Sequence, residues 1–244
     1  MKGYGIHSPF VFDLVRNIIY SKSKFYHFKT INSVRKEYLN VRDRIEISDY
    51  GAGSKIKKSS QRKVRNIAKY SSIPQKYGEL LFRIVVHFKP DNIIELGTSL
   101  GLSTLYLALP DRRKKVYTID ACTSSINIAQ TTFNELKLNN VNVRIGTFED
   151  LLGSVIDEMK SIDLAFIDGN HRKNTTLNYF ERCLVKSNNE TIFVFDDIHW
   201  SKEMYDAWKI ISSHPKVTVA IDLFRIGIVF LRGESLKQHF VVRF

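Results

Sequence analysis

Two sets of residues in this 244-residue chain carry chemistry by their type and spacing. The first is a pair of glycines followed by a lone aspartate. In Ile93-Ile-Glu-Leu-Gly-Thr-Ser-Leu-Gly-Leu-Ser-Thr104 an apolar run passes through Gly97 and Gly101 into a helix start. Glycine permits a sharp turn and a close ligand approach, and a helix N-terminus offers free amide donors. The next apolar run, Val116 to Ile119, ends in Asp120, where a carboxylate is placed to accept both hydroxyls of a ribose. Together the two features predict a nucleoside-containing cofactor rather than a tight turn beside a surface aspartate. The Gly-x-x-x-Gly spacing lacks the GxGxxG that lets a pyrophosphate lie against the helix, and Glu95 would face a phosphate with like charge. Nicotinamide and flavin dinucleotides are therefore disfavoured, whereas a cationic sulfonium with an amino acid tail suits such carboxylates.

The second set is acidic. Asp168 ends one apolar run, in Asp163-Leu-Ala-Phe-Ile-Asp168-Gly-Asn-His171, and Asp196-Asp197 ends another, ahead of Ile198-His199-Trp200. Three carboxylates converging at strand ends repel unless a cation or protons lie between them. A hard divalent ion such as Mg²⁺ meets that need, and would lower the pKa of an acceptor hydroxyl and orient it. Two other roles stay open: Asp168 holding a donor's amino group, and Asp196 or Asp197 capping the helix that begins after Ser201.

The elements that must position these residues follow from the hydrophobic pattern. Short apolar runs at 93–96, 116–119, 141–145, 162–167 and 192–195 alternate with helix-length segments at 102–109, 124–137, 148–159 and 172–185. Strands that are apolar at consecutive positions, each followed by a helix, predict a doubly wound α/β domain on a mostly parallel sheet. Two last runs, 217–223 and 226–231, are separated only by Phe224 and Arg225, too short a gap for a crossover, so they must be antiparallel. Ahead of this domain, Phe10, Val11, Leu14, Val15, Ile18 and Ile19 recur at helical spacing after Ser8-Pro9. Further helices are predicted at 31–44, 61–71 and 75–89. The Asp49-Tyr-Gly-Ala-Gly-Ser54 stretch reads as a structured turn rather than a nucleotide loop, since no strand is evident before it. This divides the chain into a basic helical extension, residues 1–74, and a cofactor domain, residues 75–244.

Glu95-Leu-Gly-Thr-Ser-Leu-Gly-Leu-Ser resembles the first motif of class I S-adenosylmethionine-dependent methyltransferases, in the E-x-G-x-x-x-G-x-S form of the catechol and caffeoyl-CoA O-methyltransferase branch. The resemblance covers about residues 75–232. It implies a Rossmann-like, seven-stranded sheet with an antiparallel last strand. It also implies S-adenosylmethionine, its methionine part among Glu95, Gly97, Ser99 and Gly101, its ribose on Asp120 and its adenine by Thr147 and Phe148. Asp168-Gly-Asn-His171 is similar to the Asp-Gly-x-His of metal-dependent sugar and antibiotic O-methyltransferases. By that resemblance Asp168, Asp196 and Asp197 are metal candidates, and His171, with Asp168, is a catalytic candidate as general base. The expected reaction is O-methylation of a small hydroxylated acceptor. Where the family commonly has Pro-Gly-Gly, this chain has Val185-Lys-Ser-Asn-Asn-Glu190, so the loop there should differ in shape.

Composition bounds the partners. The formal charge of +12 is concentrated at the start: residues 1–72 hold 16 Lys and Arg against 5 Asp and Glu. Lys55, Lys57, Lys58, Arg62, Lys63, Arg65 and Lys69 form a run able to meet phosphates, which keeps an RNA methyltransferase, or a non-catalytic protein gripping an anionic partner, as alternatives. No RNA-binding motif accompanies the charge, and a solvated face is the simpler reading. The helical flank equally suits a cover for the donor pocket or a homodimer contact. No apolar stretch is long enough for a bilayer span, and 1–13 lacks an apolar signal core, so a cytoplasmic protein is expected. Cys122 and Cys183, with no CxxC pair, argue against a disulfide framework. Phe25-Tyr-His-Phe28 is expected to pack rather than to stack bases.

Overall fold

The structure is a computed structural model and describes residues 8–49 and 58–244. Helix α1 (Pro9–Leu14), capped by the Ser8 hydroxyl, runs on as a π-helical turn, Val15–Ile19, and is followed by α2 (His27–Asn40). Strands β1 (Arg44–Asp49) and β2 (Lys58–Lys63) pair antiparallel, and α3 (Val64–Tyr70) and α4 (Gln75–Phe88) lead into the main sheet. Thereafter strand and helix alternate: β3 (Asn92–Leu96), α5 (Leu102–Ala108), β4 (Lys115–Asp120), α6 (Thr123–Glu135), β5 (Val141–Ile145) and α7 (Phe148–Glu158). Then come β6 (Ile162–Ile167), α8 (Lys173–Leu184), β7 (Ser187–Phe195), α9 (Lys202–Ser213), β8 (Val219–Asp222), β9 (Gly227–Phe230) and β10 (Gln238–Val241).

The sheet has eight strands in the order β10-β8-β9-β7-β6-β3-β4-β5. Only β9 runs against its neighbours, lying antiparallel to both β7 and β8. The doubly wound α/β class and the antiparallel pairing of the last two apolar runs are as expected. The strand count is one higher than seven, because β10 adds to the edge parallel to β8. That strand is four residues long with alternating burial, too short and too exposed to show as an apolar run.

The central strands are apolar throughout because both faces are covered. Ile93, Val116, Leu164, Phe166 and Val194 enter one hydrophobic cluster, while Ile94, Ile119, Ala165, Ile167 and Phe195 enter a second on the opposite face. The first cluster also takes in Val11, Leu14, Ile18, Phe28, Ile31 and Val34. The N-terminal segment thus packs into the core of the sheet. The aromatic cluster belongs to this packing: the Phe25 and Phe28 rings lie 4.9 and 5.0 Å from that of Phe82. Arg83 Nε donates to the Ile18 carbonyl at 2.7 Å, Arg35 Nη2 to that of Ile73 at 2.7 Å, and the Tyr38 and Thr132 hydroxyls share a bond of 2.7 Å.

The extension is not wholly helical. Helix α2 begins four residues earlier than expected and stops at Asn40, where Val41 turns extended. The first residues of the expected helix at 61–71 instead belong to β2. In β1, Ile45 and Ile47 alternate with exposed Glu46, a two-residue period that short length concealed. A strand therefore does precede the glycine-containing stretch after Asp49; positions 50–57, with Lys55 and Lys57 of the basic run, lie outside the described residues. Arg62 and Lys69 are exposed, and Lys63 and Arg65 are partly buried. Among the described residues no helix is long and apolar enough to cross a membrane.

Because the N-terminal helices and the sheet share one core, unfolding should be a single transition. Phe82→Ala should cost about 3 to 5 kcal/mol without splitting it. Urea denaturation followed by both circular dichroism and fluorescence checks this.

Candidate functional site

The tips of β3, β4, β5 and β6 are laced by backbone bonds: Gly97 N–H to Ile119 O (2.9 Å), Asp168 N–H to Leu96 O (2.9 Å) and Gly146 N–H to Asp120 O (3.0 Å). Gly97 has φ +110°, and a Cβ there would stand 2.0 Å from the Asp168 carbonyl oxygen. No side chain fits this position. Gly101, at φ +77°, opens α5 with its Cα against the Phe133 ring, 2.6 Å from where a Cβ would lie. Between them Ser99 adopts φ +47°, a conformation costly for a residue with a side chain. It is held there by Asp120, whose Oδ2 accepts the Ser99 N–H at 2.8 Å while Oδ1 accepts that of Cys122 at 2.8 Å. The carboxylate faces the glycine turn, with both oxygens engaged by backbone amides. Burial pushes the Asp120 pKa up, against the amide bonds from Cys122, Ser99 and Ala121.

Glu95 is fully buried beneath this turn. Its Oε2 accepts from the hydroxyls of Thr104 (2.5 Å) and Thr118 (2.7 Å), and Thr118 in turn bonds Thr98 (2.6 Å). Oε1 has no hydrogen-bond partner. Burial raises the Glu95 pKa to about 7, against the pull of the hydroxyls of Ser103, Thr104 and Thr118. A crevice above the turn is lined by Gly97, Ser99, Leu102 and Asp168 together with Ser71 and Ile73. The α3–α4 connection thus contributes to a site that the sequence assigned wholly to residues after 74.

Thr147 caps α7, its hydroxyl accepting the Asp150 N–H at 3.2 Å, and the Phe148 ring packs over Gly169, 2.6 Å from where a Cβ would lie. Phe148 therefore bridges the loops that follow β5 and β6. In the second loop Asn170 and His171 have positive φ, 69° and 32°. Asn170 Nδ2 donates to the Tyr179 hydroxyl (2.8 Å), which donates to Glu149 (2.6 Å), tethering the loop to α7 and α8. His171 Nε2 stands 3.7 Å from Asp168 Oδ1. Burial, then repulsion from Asp196 and Asp197, lifts the Asp168 pKa well above the usual carboxylate range.

Asp168, Asp196 and Asp197 do gather at the ends of β6 and β7, as expected, but a fourth group joins them. Arg225, from the turn between β8 and β9, donates through Nε and Nη2 to the two oxygens of Asp196 at 2.9 and 2.7 Å. Its Nη2 is also 3.3 Å from Asp197 Oδ1. The expected Mg²⁺ cage finds no support in this geometry: the buried Asp196 gives both oxygens to a guanidinium. Among the described residues no cluster of three His, Cys, Asp or Glu side chains is arranged to hold a metal. The capping alternative also falls away, because the Ser201 hydroxyl caps α9 by accepting the Met204 N–H at 3.1 Å. Nearby, His199 Nε2 is 2.8 Å from Asp222 Oδ2, and its ring stacks 4.9 Å from that of Phe224. Arg225 had a visible signal, since it fills the two-residue gap between the last apolar runs.

Two outcomes follow. Gly97→Ala should lose at least about 3 kcal/mol of stability, because neither the φ nor the backbone contact can relax cheaply; thermal melts measure this. For Glu95, whose ordinary pKa is 4.5 and folded value about 7, the folded chain holds the proton more tightly. Its burial therefore costs nothing below pH 4.5 and progressively more up to about pH 7, where the cost levels at about 3 kcal/mol. The stability of Glu95→Gln relative to the parent should accordingly rise between pH 5 and pH 8, as read from paired denaturation curves.

Residues 94–198 match the sequence profile of a family described as "Methyltransferase domain". Comparison with curated proteins by sequence gives no match. Among solved structures, the chain is similar to an O-methyltransferase from Bacillus cereus in complex with SAH, at 21% identity and a TM-score of 0.60, covering 86% of this chain and 92% of that one. It is also similar to the O-methyltransferase TomG from Streptomyces achromogenes, solved with SAM, at 16% identity and a TM-score of 0.61, covering 91% and 95%. A third is the SAH-bound Podospora anserina methyltransferase PaMTH1, at 14% identity and 0.59, covering 87% and 99%. Residues 94–198 thus resemble a methyltransferase-domain profile, and the similar structures show that the chain has the Rossmann-like α/β fold of those proteins.

Proposed function

We propose that the chain is an S-adenosylmethionine-dependent methyltransferase acting on an oxygen of a small hydroxylated acceptor. The observation that carries this reading is the bond from Ser99 N–H to Asp120, which aims a ribose-binding carboxylate at a glycine turn too tight for any other residue at Gly97. The SAM and SAH complexes of the similar O-methyltransferases support the donor and the acceptor atom.

In this reading Gly97, Ser99 and Gly101 present backbone to the methionine part, with Glu95 beneath them and the Asp168 carboxylate available to the amino group. The Asp120 carboxylate, oriented by its amide bonds, accepts from the ribose. Phe148 offers a ring face to the adenine, with Thr147 at its edge. When bound, the donor supplies an electrophilic methyl group. The chain's own task is alignment and proton removal. His171, at the mouth of the loop after β6, takes the acceptor's hydroxyl proton on its imidazole. Asp168, 3.7 Å away, and Asp197 stabilise the imidazolium that results. Burial and Asp196 raise the Asp197 pKa, while Arg225 and His171 counter them, so protonating His171 favours the ionised carboxylate beside it.

Calorimetric titration with S-adenosylmethionine and its demethylated product should give one site per chain with micromolar affinity; no heat at high micromolar protein would overturn the proposal. His171→Ala should slow transfer of a labelled methyl to a panel of phenols and sugars by about a hundredfold or more. Donor affinity should not change. Label appearing in tRNA or rRNA and in none of the small acceptors would replace the acceptor class.

A further inference from the structure

The link between Arg225 and the acids is built into the fold. Nε and Nη2 form the parallel, two-bond fork that a guanidinium makes with a carboxylate, and the Asp196 side chain is 1% exposed. The backbone around the pair is equally determined. Ile198 N–H donates to the Arg225 carbonyl at 3.0 Å, tying the segment after β7 to the β8–β9 turn. Within that turn Leu223 N–H bonds Ile226 O at 2.9 Å, and Phe224 N–H bonds Asp222 Oδ1 at 2.7 Å. Asp197 and Phe224, one on each side of the pair, both have positive φ, 54° and 72°. For a bulky aromatic such as Phe224 that conformation is an outlier, costing about 1 to 3 kcal/mol. The cost is sustained where the turn delivers Arg225 to Asp196.

An arginine so placed changes what the acids can bind. A guanidinium is always charged and has donors but no lone pair to share. A divalent ion entering among Asp168, Asp196 and Asp197 would have to strip both oxygens of Asp196 from a buried, doubly bonded partner. It would then stand beside a fixed positive charge. The acids' mutual repulsion, the reason a metal was expected there, is already partly offset by the guanidinium.

We propose that Arg225 is the resident cation of this site, occupying the place a divalent metal would take among Asp168, Asp196 and Asp197, so that the site works without one. Its Nη1 donates no hydrogen bond to any described residue, and the side chain is 31% exposed. That nitrogen is left to hold an acceptor's oxygen, a role resting on the methyl-transfer reading above, whereas the exclusion of metal rests on the ion-pair geometry alone.

Binding of Mn²⁺, followed by the loss of its free-ion electron paramagnetic resonance signal, tests the exclusion without any need for turnover. At about 100 µM ion and protein, the parent chain should leave the signal unchanged, and its melting temperature should be the same in Mg²⁺, Mn²⁺ or a chelator. Arg225→Gln, which removes the charge and keeps a polar side chain, should gain Mn²⁺ affinity by about tenfold or more, reversibly with chelator. Arg225→Lys should not gain it. The proposal is overturned if the parent binds one Mn²⁺ that Asp196→Asn abolishes, or if Arg225→Gln, folded by circular dichroism, gains no affinity. Should Arg225→Gln fail to fold, the parent's titration decides alone. Donor titration on the same preparations reports separately on the methyltransferase reading, so failure of one is distinguishable from failure of the other.

Discussion

The absence of a side chain at Gly97 is the constraint on which the site depends. With the Asp168 carbonyl where a Cβ would have to be, β3 and β6 can exchange a backbone bond at their tips, and the chain can leave β3 at an angle that starts α5 inside the crevice. Everything nearby follows from that approach. The turn must then place Ser99 in a left-handed conformation, and Asp120 on the neighbouring strand supplies the acceptor that keeps it there. Glycine's freedom and aspartate's charge work as one device, the first creating an amide in an unusual place and the second holding it.

A second balance governs the other end of the crevice. Bringing three carboxylates to the ends of β6 and β7 is electrostatically unfavourable in a largely buried place, and the fold answers with one arginine carried on the tight turn between β8 and the antiparallel β9. The reversed direction of β9 is what allows this. A short turn returns the chain to β7 within reach of Asp196, where a helical crossover would have carried it away.

Much of this was legible in the sequence. The five apolar runs, the glycine turn, Asp120 at the second strand tip and the gathering of Asp168, Asp196 and Asp197 all follow from local patterns, because buried parallel strands are apolar at every position and ligand-facing residues sit at their ends. What escaped had its cause in distance along the chain or in shortness. Arg225 lies 29 residues from Asp196, so no local spacing ties them, and charge repulsion among the acids points to some cation without saying which. The β1–β2 hairpin and β10 are short and half-exposed, and their two-residue period was submerged in a lysine-rich or mixed background. Ser71 and Ile73 reach the crevice only because the N-terminal helices pack on the same face of the sheet as α4 and α5.

That last arrangement has a mechanical consequence. Arg35 on α2 holds the Ile73 carbonyl, and Ile73 is one wall of the crevice over Gly97. Helix α2 is thereby coupled through a guanidinium strut to the wall of the crevice over Gly97. Wear at that joint, through substitutions that leave every strand-tip residue intact, would be felt first as a change in the shape of that wall.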